Sequence, residues 1–208
     1  MPKHQPFPTA VQWSHRILEA RLHPGMQVMD ATAGNGHDTL FLAKHVLPGG
    51  HVYAFDVQTQ AIQSTAQRLE EEGIPSEGVT LFHAGHETLS ANIPVAARGS
   101  LSAVMFNLGY LPGGDKSRIT LEDTTLSALQ QALDWLAEDG LLSVVVYPGH
   151  DGGREEAAAV ESLLAALPST LFEVQKISFL NYRTTTPYLM IARRKKFTGD
   201  ELPLQTLP

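Results

Sequence analysis

The 208-residue sequence predicts an α/β protein with a seven-stranded, mostly parallel sheet and an antiparallel closing hairpin. Three observations carry that prediction. Short apolar β runs alternate with segments of helical periodicity along most of the chain. The strongest β run, Leu141-Leu142-Ser143-Val144-Val145-Val146-Tyr147, is almost continuously apolar, which suits a strand covered on both faces. The last two runs, Phe172–Phe179 and Pro187–Arg193, have only the loop Leu180–Thr186 between them, so antiparallel pairing is expected.

The elements follow in order. From Pro8 to Leu22, apolar residues at Ala10, Val11, Trp13, Ile17, Leu18 and Leu22 have helical spacing. Thr9 is a candidate cap and Pro24-Gly25 ends the helix. Trp13 is read as a packing anchor, and His15 as a surface residue or one near the ligand mouth. Strand Met26–Asp30 leads to helix His37–Val46, the turn Leu47-Pro48-Gly49-Gly50 and strand His51–Phe55. A helix over Thr59–Glu72 keeps Ala61, Ile62, Ala66 and Leu69 on one face, and strand Val79–His83 follows. Strand Leu101–Phe106, a helix over Thr120–Ala137, the strong β run and a helix over Arg154–Leu167 complete the alternation. No linker divides the chain, so residues 1–208 read as one domain, with residues 1–25 a helical segment packed on it.

Composition bounds the function. A hydrophobic share of 43% against 18% charged residues belongs to a globular chain rather than a disordered one. No apolar run approaches the roughly 20 residues that span a bilayer, and the first residues lack a signal-peptide core. The absence of cysteine excludes disulfides and thiolate metal sites and fits the cytoplasm. A net charge of −7 argues against tight nonspecific binding to a phosphate backbone. The one basic run, Arg193-Arg194-Lys195-Lys196, reads as a solvated strand end. His37-Asp38, His83, His86 and His150 come from separate loops without the spacing of a zinc site, so no metal is expected.

The chemistry concentrates at Val28-Met29-Asp30-Ala31-Thr32-Ala33-Gly34-Asn35-Gly36-His37-Asp38-Thr39. An apolar strand ends in an acid, two glycines follow, and a helix begins. Gly34 and Gly36 are expected to take positive φ or to allow close backbone approach. The helix N-terminus then faces the ligand, with Asp38-Thr39 in its first turn. Asp56 ends the second strand 20 residues after Gly36, where a nucleotide-binding βαβ unit places a carboxylate on ribose hydroxyls. A dinucleotide loop would carry a third glycine, yet Thr39 stands there. Asp30 instead suits a cationic ligand, taking up the amino group of S-adenosylmethionine directly or through water, or else it caps the turn. Cofactor contacts are therefore expected from Asp30, Thr32, Gly34, Asn35, Gly36, His37, Asp38, Thr39, Asp56, Gln58, His86 and Asn107. With the closing hairpin, the topology looks like the Rossmann-type class I methyltransferase fold.

Strand ends four and five add Asn107-Leu108-Gly109-Tyr110 and Tyr147-Pro148-Gly149-His150. Amino-methylating enzymes of this fold carry an Asn-Pro-Pro-Tyr-like loop at the first of these places; here Leu108-Gly109 replaces the prolines. Three motifs in order, Asp30-Ala-Thr-Ala-Gly-Asn-Gly-His-Asp-Thr39, Asn107-Leu-Gly-Tyr-Leu-Pro-Gly-Gly-Asp115 and Tyr147-Pro-Gly-His-x-Gly-Gly153, resemble the small family labelled "putative rRNA methylase" over nearly the whole chain. Its characterised relatives are tRNA methyltransferases of the MnmM type, which methylate the aminomethyl nitrogen of wobble 5-aminomethyl-2-thiouridine. The resemblance implies S-adenosylmethionine as cofactor and a tRNA anticodon loop as partner, with no membrane. It leaves a monomer and a homodimer both open. It implies Asn107 and Tyr110 as the groups orienting the amine and stacking the base, and His150 or Asp115 as proton acceptor. Lys116, Arg118, Tyr182 and Arg183 are expected to meet the RNA. Other readings are an rRNA methyltransferase, a methyltransferase for a small-molecule amine or carboxylate, and a catalytically silent binding module.

Overall fold

The computed structural model describes residues 6–109, 122–150 and 152–196. Its strands are β1 (Gln27–Asp30), β2 (His51–Asp56), β3 (Val79–His83), β4 (Leu101–Leu108), β5 (Leu136–Val146), β6 (Phe172–Ile177) and β7 (Tyr188–Arg194). They form one sheet in the order β3-β2-β1-β4-β5-β7-β6. The pairs from β3 across to β5 are parallel, and β7 runs antiparallel to both β5 and β6. The expected closing hairpin is present.

The helices are α1 (Ala10–Glu19), α2 (His37–Val46), α3 (Thr59–Glu71), the single turn α4 (Leu89–Asn92), α5 (Glu122–Trp135) and α6 (Gly153–Ala165). Thr9 starts α1 through a capping box: its hydroxyl accepts from the Gln12 N–H, and the Gln12 amide oxygen accepts from the Thr9 N–H at 3.0 Å. Trp13 packs with Val11 and Ile17 against a small cluster formed by Ala10, Val145 and Leu189, so it is the packing anchor expected.

Each sheet face has its own core. On one face Phe55, Phe106, Leu129, Leu136, Leu142 and Leu164 lie under α5 and α6; on the other Leu18, Val28, Leu42, Val46 and Val52 lie under α1, α2 and α3. Burial of each such side chain stabilises the fold by about 1.5–3 kcal/mol. The twofold period of a strand then fixes where polar residues must point. In β4, Val104, Phe106 and Leu108 join the first core, while Ala103 and Met105 join the second. Asn107 continues the Ala103–Met105 row and faces α1 and α2. In β5, Leu142, Val144 and Val146 face the first core, and Leu141, Ser143 and Val145 face the second.

Several element ends shift from expectation by one to three residues, and two of the differences, in β4 and β5, are structural. β4 runs on to Leu108, so Asn107 is a strand residue paired with Val145 rather than the start of a loop. β5 begins at Leu136, because Leu136 pairs with Leu101 ahead of a register shift. Asp139-Gly140 is thus an irregularity inside a longer strand. Asp139 has φ 61°, and a Cβ on Gly140 would lie 2.8 Å from the carbonyl oxygens of both Ala137 and Leu101.

Candidate active site

In this strand order the chain leaves β1 toward β2 and β3 on one side, then returns to place β4 on the other. The crevice between the carboxyl ends of β1 and β4 is therefore the switch point, where open α/β sheets bind ligands. Asp30 and Met105 are register partners at this point, with Asn107 just beyond.

The turn after β1 is held by hydrogen bonds from every side. The Ala31 N–H donates to the Met105 carbonyl at 2.8 Å and the Ala33 N–H to that of Phe55 at 2.9 Å. The Gly34 N–H donates to Asp56 Oδ2 at 2.9 Å, and Asp56 Oδ1 accepts from the Gln58 N–H at 2.8 Å. From α3, the Thr65 hydroxyl donates to the Gly34 carbonyl and Arg68 Nε to that of Asn35. Gly34 and Gly36 both take positive φ, at 53° and 78°. A Cβ on Gly36 would come 2.8 Å from the Thr65 Cα, so this glycine serves the contact between α2 and α3.

Asp30 is sealed inside the turn at 0% exposure. Its Oδ1 accepts from the Thr32 N–H at 3.0 Å and its Oδ2 from the Thr39 hydroxyl at 2.6 Å. Burial, then the nearby Asp38 charge, pushes its carboxyl up to about 7 against the two hydrogen bonds. Of the two roles expected for Asp30, capping the turn is the one this geometry supports. The Thr39 hydroxyl is fully buried on Asp30. His86 is buried as well. It is 7% exposed, packs against Phe106 and bonds the Ala31 carbonyl through Nδ1 at 3.1 Å. Burial pushes its pKa down, so the neutral ring donates that bond and braces the turn from behind.

The rim beside the turn differs. Asp38, in the first turn of α2, is the hub. Its Oδ2 accepts from Asn107 Nδ2 at 3.2 Å, and its Oδ1 lies 2.6 Å from His15 Nε2 on α1. The Asn107 N–H donates to the Thr32 hydroxyl at 2.8 Å, tying β4 to the turn. Half-buried Tyr147 stands beyond, its phenol pushed upward by burial and by the Asp38 charge. Gly109 packs on that ring: a Cβ there would be 3.4 Å from it. Gly153 brings α6 against His150, where a Cβ would be 2.9 Å from the imidazole. The remaining turn residues Asn35 and His37 sit at the mouth, His37 exposed on the first turn of α2.

Asp38 and Asp56 both act on Asp30, so three carboxylates converge on the crevice. That field favours a positively charged ligand, and a sulfonium cofactor fits it. Among the described residues no group of His, Asp and Glu is arranged to hold a metal. Tyr110, Asp115, Lys116 and Arg118 lie outside the described residues. Tyr182 and Arg183 are exposed on the loop between β6 and β7, at the same end of the sheet as the crevice. Arg193 and Lys196 lie at the other end, paired with Glu173 and Asp139. The basic run is the strand end that was expected.

The sequence reading put His15 at the surface or near the ligand mouth and Tyr147 at the end of strand five, but gave neither a role at the site. The available signal was a pair of polar residues, Ser14 and His15, beside inward-facing Leu18 on α1, and the period-two row in β5 that ends at Tyr147.

A protein-family model described as "Putative rRNA methylase" matches residues 52–193. A chloroplastic tRNA (mnm(5)s(2)U34)-methyltransferase of Arabidopsis thaliana is 43% identical over 194 residues, 90% of this chain and 70% of that protein. A structure titled a "putative rRNA-methylase" from Clostridium thermocellum superposes with TM-score 0.86 at 36% identity, covering 91% of this chain and all of that one. A "putative methyltransferase" from Streptococcus mutans, solved in complex with SAH, superposes with TM-score 0.81 at 34% identity over 91% of this chain and 99% of its own. The architecture is that of class I methyltransferases, and the chain belongs to the "Putative rRNA methylase" family.

Proposed function

We propose that this chain is an S-adenosylmethionine-dependent N-methyltransferase acting on the aminomethyl group of wobble 5-aminomethyl-2-thiouridine in tRNA. The observation that carries the reading is Asn107, held by Asp38 at the switch point beside an acidic crevice. The 43% identity to a tRNA (mnm(5)s(2)U34)-methyltransferase supports the tRNA over the rRNA of the family's label.

Bound S-adenosylmethionine supplies a methyl group made electrophilic by its sulfonium. The chain's own residues do the rest by attracting, orienting and deprotonating. The Asp38 and Asp56 carboxylates favour the cation in the crevice. Asn107 orients the amine for in-line attack, and positioning of that kind supplies much of the rate. The amine is mostly protonated at neutral pH, so it sheds a proton first, to His150 or Asp115. Tyr110 stacks the base, while Lys116, Arg118 and exposed Arg183 meet phosphates. Tyr182, 59% exposed and stacked on Phe179 at 4.5 Å, offers a second aromatic face. No helix among the described residues is long and apolar enough to cross a membrane, and an activity on tRNA goes with the cytoplasmic location expected from sequence.

Mass spectrometry of tRNA nucleosides from a strain lacking the gene tests the reading. The aminomethyl-thiouridine is expected to accumulate, and the purified chain should methylate it in the presence of S-adenosylmethionine. Unchanged tRNA overturns the assignment.

A further inference from the structure

We propose that His15, on the N-terminal helix, is the positioning residue that fixes the direction of the Asn107 amide through Asp38. The inference rests on the amine-orienting role given to Asn107 above.

The argument begins with donors and acceptors. An ionised carboxylate only accepts hydrogen bonds. His15 Nε2, 2.6 Å from Asp38 Oδ1, must therefore carry the proton and donate. Asp38 Oδ2 accepts from Asn107 Nδ2 at 3.2 Å. The three residues form one chain in which two donors converge on one carboxylate. This chain fixes the amide's sense. Turned over, Asn107 would set its Oδ1 against Asp38 Oδ2, two acceptors facing with no proton between them. Held as it is, the amide spends its N–H on Asp38 and turns Oδ1 the other way. An oxygen acceptor is what a primary amine needs: it takes one N–H and leaves the nitrogen lone pair to be aimed.

Asn107 cannot hold Asp38 alone. The Asp38 side chain is only 8% exposed, so little water is present to replace a lost donor. The Asp30 carboxyl lies close enough for its charge and that of Asp38 to repel, which favours moving Asp38 away from it. His15 opposes that movement and is itself held rigidly. Its ring stacks on Phe41 with centroids 4.0 Å apart and planes 1° from parallel. The helix beneath it is seated by fully buried Leu18 and by the Ser14–Ser143 hydroxyl pair at 2.6 Å. α1 lies outside the βαβ unit, yet it supplies the last constraint on the acceptor side of the site.

The test separates donor from ring. His15→Phe keeps an aromatic ring on Phe41 and removes the donor. His15→Gln sets an amide N–H close to where Nε2 stands. In His15→Phe, kcat on aminomethyl-bearing tRNA should fall about 10- to 100-fold. KM for tRNA and the calorimetric affinity for the demethylated cofactor should stay within about twofold. His15→Gln should recover most of the lost kcat. Combined with Asn107→Ala, His15→Phe should add nothing further, since both act through one amide. If His15→Phe fails to fold, His15→Leu serves as the donor-less variant. A donor-less variant with wild-type kcat, a Gln variant as slow as it, or effects that multiply in the double variant overturns the proposal. If Asn107→Ala is slow while His15→Phe is fast, only this proposal fails. If Asn107→Ala turns over like wild type, the amine-orienting reading fails and this one with it.

Discussion

The turn after β1 and the rim beside it lie within one crevice but are built from opposite kinds of contact. In the turn, most side-chain partners are near in sequence: Asp30 binds Thr32 and Thr39, and Gly34 binds Asp56 and Thr65. In the rim they are far apart. Asn107 reaches Asp38 across 69 positions and Ser14 reaches Ser143 across 129. The turn is closed mainly within its βαβ segment and α3, with Met105, Asn107 and His86 bracing it from further along the chain. The rim exists only when α1, α2, β4 and β5 are all in register. Cofactor binding and acceptor handling are thus separable, and substitutions in the two regions should fail differently.

The largest effect should come from the turn. Gly36→Val forces a β-branched residue into positive φ and drives its Cβ toward the Thr65 backbone. We expect a loss of about 4 kcal/mol, combining backbone strain with overpacking. For a domain this size the melting temperature should fall by roughly 8–16 °C. Cofactor affinity should be lost with it. A thermal melt like wild type would mean the turn is not the rigid half of the site.

A smaller effect should appear in how stability depends on pH. Asp30 titrates near 7 in the folded chain and near 3.8 as a free side chain. Between those values the folded state binds more protons than the unfolded one. Stability is therefore fullest below about pH 4 for this group and declines as pH rises through 7, by about 4 kcal/mol in all. Asp30→Asn should remove that decline. Its oxygen can accept from the Thr32 N–H and its amide can donate to Thr39 Oγ. Denaturant midpoints at pH 4.5 and 7.5, compared for the two proteins, measure the difference. Equal slopes would show that Asp30 is ionised throughout and belongs with the rim.

The smallest effect sharpens the comparison from the rim side. Ser14→Ala leaves the buried Ser143 hydroxyl without its 2.6 Å partner and should cost about 1–2 kcal/mol. Affinity for the demethylated cofactor should hold, while turnover on tRNA falls as α1 loosens. A parallel loss of cofactor affinity would merge the two regions into one.

These contrasts explain what could be read from sequence. The alternation of apolar runs, the Gly34–Gly36 turn and Asp56 were legible because each is a local pattern, and the strands fall close to their expected places. Asp30 was legible as a special acid but not as a buried one, because burial depends on Thr39 closing over it. Asn107 was found by motif, although its reach to Asp38 follows from β4 extending two residues further than its apolar run. His15 was legible only as a surface residue or one near the ligand mouth, because nothing near it in sequence distinguishes it from any polar residue on an amphipathic helix. Its partner is set by how α1 docks on β5 and β7, and helical periodicity does not encode that docking.

The hydroxyl pair that seats α1 also carries a temporal consequence. Ser14 emerges from the ribosome 129 residues ahead of Ser143, and Leu189 of the same contact cluster follows later still. At synthesis rates of 5–20 residues per second, α1 waits roughly 6–26 s for the first of these partners. During that interval the amphipathic helix has no sheet to lie on, while the βαβ turn that follows it can already close. The cofactor half of the crevice therefore matures first and the acceptor half last. A truncated or stalled chain would hold a methyl donor without presenting a finished acceptor site. The Ser14–Ser143 contact thus ties the acceptor half of the crevice to the arrival of β5.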